Sequence, residues 1–372
     1  MAAESIMEKL AFFVTPHGFG HAARSAAVME ALLQRVPHLH FEIFTQIPEW
    51  FFKPTLGSAF TCHPVACDVG FVQPDALTED LPATLRKLSD LLPFRAELVA
   101  ALAQQVESTG CRGVICDIAS LGIAVALKAG VPSILQENFT WGWIYAGHFG
   151  HCPALRPYAE ALDEWCGRAT WRIRTEPACD PTARVDLIVP PVSRPPRQTR
   201  AQMRAQLGVT PDHPMVLLTM GGMNHAHGFY GRMAARSDVQ FVIPGETAGF
   251  PCPDNLLFLE RNSGHYHPDL VGGMDAVIGK AGYSTLAEVF QAGLPFACVL
   301  RPGFRESRVL EFYVETAMKG FCLSPAEFNG GLWLDRLDEL LALPHHPSPS
   351  VNGADLIADF IISKIKITHA EL

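Results

Sequence analysis

Leu10–Arg24 reads LAFFVTPHGFGHAAR. A short apolar run, closed by a proline and two glycines, has the pattern of a strand buried on both faces of a parallel sheet. Gly18 and Gly20 let the backbone turn sharply, and the alanine-rich stretch Ala22–Gln34 follows as a helix. Met215–Asn224, MVLLTMGGMN, repeats the arrangement, with MVLLTM as the strand and Gly221-Gly222-Met223-Asn224 as the glycine loop. One chain that starts twice in the same way points to a duplicated α/β unit and not to a single sheet.

Outward from these two openings the pattern alternates strand and helix. In the first half, strands are expected at Leu39–Thr45, at Gly113–Cys116 (ending on Asp117) and at Val131–Leu135. Helices are expected over Ala83–Glu107 and over Ser120–Ala129, the latter closed by Gly130. In the second half, strands are expected at Val239–Ile243, Asn255–Glu260, Ala276–Ile278 and Phe296–Leu300. Val189–Thr199 reads VPPVSRPPRQT, a proline-rich connector without apolar period. The expected division is 1–195, 196–350 and 351–372. The last piece is an amphipathic helix, Ala354–Lys364, with Leu356, Ile357, Phe360 and Ile361 on one face, packing back on the first domain. A ligand is expected between the halves, at the carboxyl ends of the strands.

The chain has 372 residues, 48% hydrophobic and 18% charged, with a formal net charge of −9. At about 100–200 residues per domain this fits two domains, and the acidic balance excludes the basic footprint of a nucleic-acid binder. No apolar run approaches the ~18 residues of a membrane span, and no basic-then-apolar leader opens the sequence. The ten cysteines include no CxxC pair. Cys62/Cys67 and Cys111/Cys116 lack zinc spacing, so reduced thiols and a cytoplasmic location are expected.

Gly279–Glu288, GKAGYSTLAE, carries the most chemistry. A strand runs into Gly279-Lys280-Ala281-Gly282, and a helix begins near Ser284. Its free N–H groups and positive end favour a phosphate. Ser284 and Thr285 add hydroxyl donors, Lys280 adds a point charge, and the Glu288 carboxylate suits a ribose diol. Thr285–Glu288 also fits a capping box, which needs no ligand. The loop Arg301–Ser307 follows the next strand. Its Arg305 and Glu306 suit sugar hydroxyls, or else they form surface ion pairs.

His21, after Gly20 at the cleft end of a strand, suits a general base near neutral pH. Asp117 would hold its ring and stabilise the imidazolium; alternatively it caps the helix from Ser120. His17 competes for the base role. GFGHAA formally satisfies a dinucleotide fingerprint, but the second strand ends Phe44-Thr45-Gln46 without the acidic residue that NAD requires. Gly221, Gly222 and Met223 offer backbone N–H groups to a diphosphate or simply make a tight turn. His225-x-His227 and His265-x-His267 have no carboxylate or thiolate at ligand spacing, so no metal is expected. Trp141, Trp143 and Tyr145 either stack on an acceptor or fill the core.

GKAGYSTLAE…GLPF…RPGFRES resembles the donor-binding motif of nucleotide-sugar glycosyltransferases. It is similar to the HxGxxSxxE core of UDP-dependent families and of the lipid-linked peptidoglycan glycosyltransferase. Together with NFTWGWIY (Asn138–Tyr145) and GxGHxxR, which includes Arg24, it resembles above all the glycosyltransferase-like N-terminal half of plant L-arabinokinases and related predicted bacterial glycosyltransferases. The resemblance spans Val14 to about Phe321. It implies a GT-B fold, with two Rossmann-like doubly wound parallel-sheet domains facing a cleft. It also implies inverting, metal-independent transfer of a sugar from a nucleotide-diphosphate donor, a UDP-sugar in the first instance. The acceptor would be a hydroxyl on a small molecule or glycoconjugate, and no cofactor is implied.

By resemblance, His21 is the base and Asp117 its partner. Ser284 and Thr285 hold the diphosphate, Glu288 the ribose and Glu306 the donor sugar. Gly20, Gly221, Gly222, Met223, Lys280, Gly282 and Arg305 complete the expected set. Lys280 departs from the family pattern, which has His there. Two other outcomes of the same site are a nucleotide-sugar hydrolase, with water as acceptor, and a non-catalytic nucleotide-sugar binder.

Overall fold

The computed structural model describes residues 8–74, 78–209, 213–220, 228–245, 253–260, 263–301, 303–346 and 351–367. The chain forms two compact units. One comprises Met1–Pro74, Glu79–Ser193 and Val351–Leu372; the other comprises Arg194–Ser350 with Asp75–Thr78.

The first unit is built on seven strands: β1 (Lys9–Val14), β2 (His40–Thr45), β3 (Phe60–Pro64), β4 (Cys111–Asp117), β5 (Ser133–Glu137), β6 (Trp171–Thr175) and β7 (Leu187–Val189). They lie in the order β3-β2-β1-β4-β5-β6-β7, all parallel. Successive side chains of a strand point to opposite faces, so β1 feeds two cores. Leu10, Phe12 and Val14 pack with Ala22, Ala26 and Met29 of the helix Phe19–Arg35 and with Ile357 and Ile361 of the last helix, Gly353–Ile365. Ala11 and Phe13 pack on the other face with Val114 and Cys116, under Leu121 and Val125 of the helix Ser120–Ala129.

The last helix is thus part of this unit. Asn352 caps it, accepting from Ala354 N at 3.0 Å, and its Nδ2 donates to Ser193 O at 2.7 Å. Arg35 pairs with Asp355 at 3.0 Å and Asp359 at 2.5 Å.

The second unit repeats the pattern with β8 (Met215–Thr219), β9 (Gln240–Pro244), β10 (Leu256–Leu259), β11 (Ala276–Lys280), β12 (Phe296–Val299) and β13 (Phe321–Leu323), in the parallel order β10-β9-β8-β11-β12-β13. Each sheet starts in the middle, runs outward one way and then returns to run outward the other. The reversal falls between β1 and β4 in one unit and between β8 and β11 in the other. Loops leave in opposite directions at such a switch point and open a crevice at the carboxyl ends of the strands.

Two expectations need correction. Ala83–Glu107 is not one helix but two, Leu81–Leu91 and Ala96–Ser108, because Pro93 disfavours helical backbone in the residue before it. Strands β3, β6, β7 and β13 were not foreseen. They lie toward the sheet edges, and segments such as FTCHP and WRIRT have too few apolar residues to signal burial.

Among the described residues, no helix is long and apolar enough to cross a membrane.

Candidate functional site

The carboxyl ends of β1 and β4 hold the first constellation. Gly18 has φ 77°, a region that disfavours any side chain, and is the N-cap of the helix Phe19–Arg35. The helix therefore begins three residues before the expected Ala22, and Gly20 and His21 lie in its first turn. The N–H groups of that turn have no intrahelical acceptor.

His21 Nδ1 lies 2.8 Å from Asp117 Oδ1. Asp117, the last residue of β4, is 1% exposed. It also accepts from Arg24 Nε at 2.9 Å and from Ser25 Oγ at 3.0 Å on Oδ2, and from Arg24 Nη2 on Oδ1. Arg24 is in turn fixed by Asn138 Oδ1 and by Thr175 Oγ1 at 3.3 Å, while Asn138 Nδ2 donates to Thr175 O at 2.8 Å. Burial alone would raise the Asp117 carboxyl. The charge of Arg24 and the hydrogen bonds from Arg24 and His21 outweigh it and hold the group at about 2.

Asp117 is not a helix cap. The helix Ser120–Ala129 has Ala119 at its N-cap and no side-chain cap. Between them Ile118 has φ 49°, a conformation a β-branched residue rarely adopts. Such strain persists only where the surroundings impose it. Here Ile118 bridges Val14 and donates its N–H to Gln136 O at 3.2 Å.

The dyad has a defined chemistry. When Nδ1–H donates to the carboxylate, Nε2 carries a lone pair and can take a proton. Arg24 Nη2, 3.2 Å from Nδ1, competes for the same atom and favours the other tautomer. The sequence motif contained Arg24, but the site it builds across 93 residues was not foreseen.

A second carboxylate lies in the same unit. Asp68 is 6% exposed; it accepts from Val69 N at 2.8 Å and from Trp141 Nε1. Burial pushes its carboxyl up to about 7. Trp141 and Tyr145 are buried, Tyr145 donating from its hydroxyl to Gly70 O at 2.8 Å. They fill the core, while Trp143 is half-buried. The ring of His17 meets Trp141 edge-on at 4.9 Å. Phe19 and Trp50, exposed at 38% and 59%, form an aromatic surface with Phe51, whose ring stacks on Phe19 at 5.1 Å.

The second unit holds the remaining candidates. Gly279 on β11 admits no side chain, because a Cβ there would lie 2.0 Å from Thr219 O on neighbouring β8. Gly282 is the N-cap and the helix spans Tyr283–Ala292, so Thr285 is its third residue and Glu288 lies within it. The capping-box reading therefore fails. The amides of Tyr283, Ser284 and Thr285 precede the first intrahelical bond, Leu286 N to Gly282 O at 2.9 Å. The hydroxyls of Ser284 and Thr285 have no hydrogen-bond partner among the described residues. Lys280 is half-buried at the end of β11, so the helix N-terminus and this cation stand at the switch point of the second sheet.

Glu288 is 5% exposed and engaged on both oxygens. Oε1 accepts from Arg194 Nη2 at 3.1 Å, and Oε2 lies 2.5 Å from His267 Nδ1. Burial would raise its carboxyl, but His267 and Arg194 together lower it. Glu306, also buried, accepts from Arg301 Nη2, whose guanidinium covers the Phe304 ring at 3.5 Å. Arg305 is exposed.

Gly221, Gly222, Met223, His225 and His227 lie outside the described residues. Among the described residues no cluster of three or more His, Cys, Asp or Glu could hold a metal.

No protein-family model matches the chain. In sequence it is similar to L-arabinokinase of Arabidopsis thaliana, 28% identical over 360 residues, which is 94% of this chain and 34% of the relative. The chain thus spans about a third of the length of the curated relative it matches.

In structure it is similar to Medicago truncatula UGT71G1 complexed with UDP-glucose, with a TM-score of 0.63 at 13% identity over 97% of this chain and 98% of that one. Arabidopsis thaliana UGT89C1 complexed with UDP matches with a TM-score of 0.65 at 13% identity, over 97% and 100%. The calicheamicin glycosyltransferase CalG4 matches with a TM-score of 0.63 at 16% identity, over 97% and 100%. Identities this low speak for architecture, and the match runs along both units. The chain therefore has the GT-B fold, two Rossmann-like parallel-sheet units in one polypeptide.

Proposed function

We propose that the chain is a glycosyltransferase that moves a sugar from a nucleotide-diphosphate donor, a UDP-sugar in the first instance, to an acceptor hydroxyl with inversion. The observation that carries the reading is the pairing of His21 with Asp117 at the switch point of the first sheet. His21 Nε2 takes the proton of the acceptor hydroxyl as its oxygen attacks the anomeric carbon. The new C–O bond forms on the face opposite the breaking one, and the electron pair of the old bond leaves with the diphosphate. Asp117 holds the ring and balances the imidazolium that forms.

In the second unit, Gly282, the open amides of Tyr283–Thr285, the hydroxyls of Ser284 and Thr285, and Lys280 bind the diphosphate. There they stabilise the developing charge without a metal ion. Glu306, Arg305 and the Gly221-Gly222-Met223 loop complete the donor contacts in this reading. The solved structures of this fold that hold UDP or UDP-glucose support the donor class.

A second reading, hydrolysis of the donor, has its own observation: Arg24 places a guanidinium inside the dyad, on both Asp117 and His21. Purified protein with a UDP-sugar panel separates the two. Nucleotide release that requires an acceptor supports transfer, and release at the full rate in water alone supports hydrolysis. No turnover, with donor binding retained and His21→Ala without effect, would leave a binding protein and overturn both.

A further inference from the structure

Glu288 and Ser284 are one helical turn apart, with Cβ atoms about 6 Å from each other on one face. A nucleotide whose diphosphate rests on the start of the helix would bring its ribose toward Glu288. That carboxylate is 5% exposed, and each oxygen already has a partner, Arg194 on one and His267 on the other. Arg194 is itself nearly buried, its guanidinium 4.9 Å from the centre of the Tyr266 ring, with Arg197 on the same ring at 4.2 Å. His267 is the open member of the group, its side chain 29% exposed. Its Nδ1 is committed to Glu288, so the ring nitrogen left for a ligand is Nε2. The arrangement repeats the chemistry of His21 with Asp117: a buried carboxylate fixes a histidine tautomer and leaves the distal nitrogen to work.

We propose that His267 is a nucleotide-binding residue that meets the ribose hydroxyls of the donor, and that Glu288 acts through it as a positioning residue. The inference rests on the donor reading above and departs from the expectation that Glu288 itself holds the ribose. A fixed imidazole Nε2 accepts a hydrogen bond from a ribose hydroxyl. Replacing that hydroxyl by hydrogen removes the bond, whose net worth corresponds to about a 3- to 10-fold change in affinity.

The test is calorimetric titration of the full chain with UDP, ADP and GDP, and then with the 2′-deoxy form of whichever binds. Wild type is expected to prefer the ribonucleotide about 3- to 10-fold. His267→Ala should bind both forms alike, and so should Glu288→Ala. Glu288→Gln turns its amide oxygen to Arg194, which can only donate, and its NH2 to Nδ1. Nε2 then carries the proton and donates to the ribose hydroxyl, which also accepts, so much of the preference should be kept. Direct contact by Glu288 gives the reverse: preference retained in His267→Ala and lost in Glu288→Gln. That result overturns the proposal, as does equal binding of the two forms by wild type. Binding of no diphosphate by wild type overturns the donor reading as well, so the two failures are distinguishable. Melting curves establish that each variant is folded, and His267→Ala with Glu288→Gln decide the matter if Glu288→Ala is not.

Discussion

Arg24 holds Asp117, its Nε donating to Oδ2 at 2.9 Å with Nη2 bonded to Oδ1. This clamp fixes the carboxylate on which His21 depends, and brings Nη2 within 3.2 Å of the ring's Nδ1. In an interior of low dielectric, a carboxylate with four donors is ordered strongly, and removing any one leaves the others unbalanced.

His21→Ala is expected to lower donor turnover by about 100- to 10,000-fold, the usual contribution of a positioned base. Asp117→Asn should lower it by at least ~100-fold, because an amide no longer selects the Nδ1–H tautomer. Steady-state assays of nucleotide release check both. Turnover within twofold of wild type in His21→Ala would remove the dyad from the mechanism.

The Asp117 carboxyl, held at about 2 in the folded chain against 3.8 for an ordinary Asp, stabilises the fold above pH 4. That contribution, about 2 kcal/mol, is lost as pH falls through the folded value, because the unfolded chain takes up the proton first. Chemical denaturation between pH 5 and pH 2 should show this loss, and Asp117→Asn should lose its share of the acid dependence.

Asp68 has the opposite sign. Burial holds its carboxyl at about 7, so between about pH 4 and 7 the folded chain binds the proton and the unfolded chain does not. Stability from this group therefore falls as pH rises through that window, by a few kcal/mol at most. Asp68→Asn keeps an acceptor for Trp141 Nε1 and is expected to flatten the slope in denaturation midpoints measured from pH 5 to 8. An unchanged slope would show that Asp68 is charged throughout.

Ile357 is fully buried where the last helix meets the helix Phe19–Arg35. Ile357→Ala should cost about 2–5 kcal/mol, from lost transfer energy and the cavity left behind. The first unit alone should be destabilised in a two-unit unfolding experiment, and the melting transition of the second should stay in place.

Much of the architecture was legible because it is local. Glycine loops after apolar runs marked β1 and β8. Gly130 ended its helix as expected, in the left-handed conformation that glycine adopts without strain. Asp117 was legible as the end of a strand. Strands β3, β6, β7 and β13 were not, since their burial depends on neighbours that the sequence does not place beside them. The break at Pro93 was present in the sequence but was overridden by the apolar period on either side of it.

Residue types and spacings thus determined two α/β units, the glycine turn that starts the helix Phe19–Arg35, and a histidine and a carboxylate in the right chemical classes. Beyond the expected pair of His21 and Asp117, only the tertiary structure decided which charges meet. Arg24 and Asp117 are 93 residues apart, and Arg194 and Glu288 are 94 apart. Such pairs form because parallel strand order brings distant loops to one switch point, where burial makes each charge depend on its partner. A periodicity has no access to that dependence, because it carries local direction and not long-range proximity.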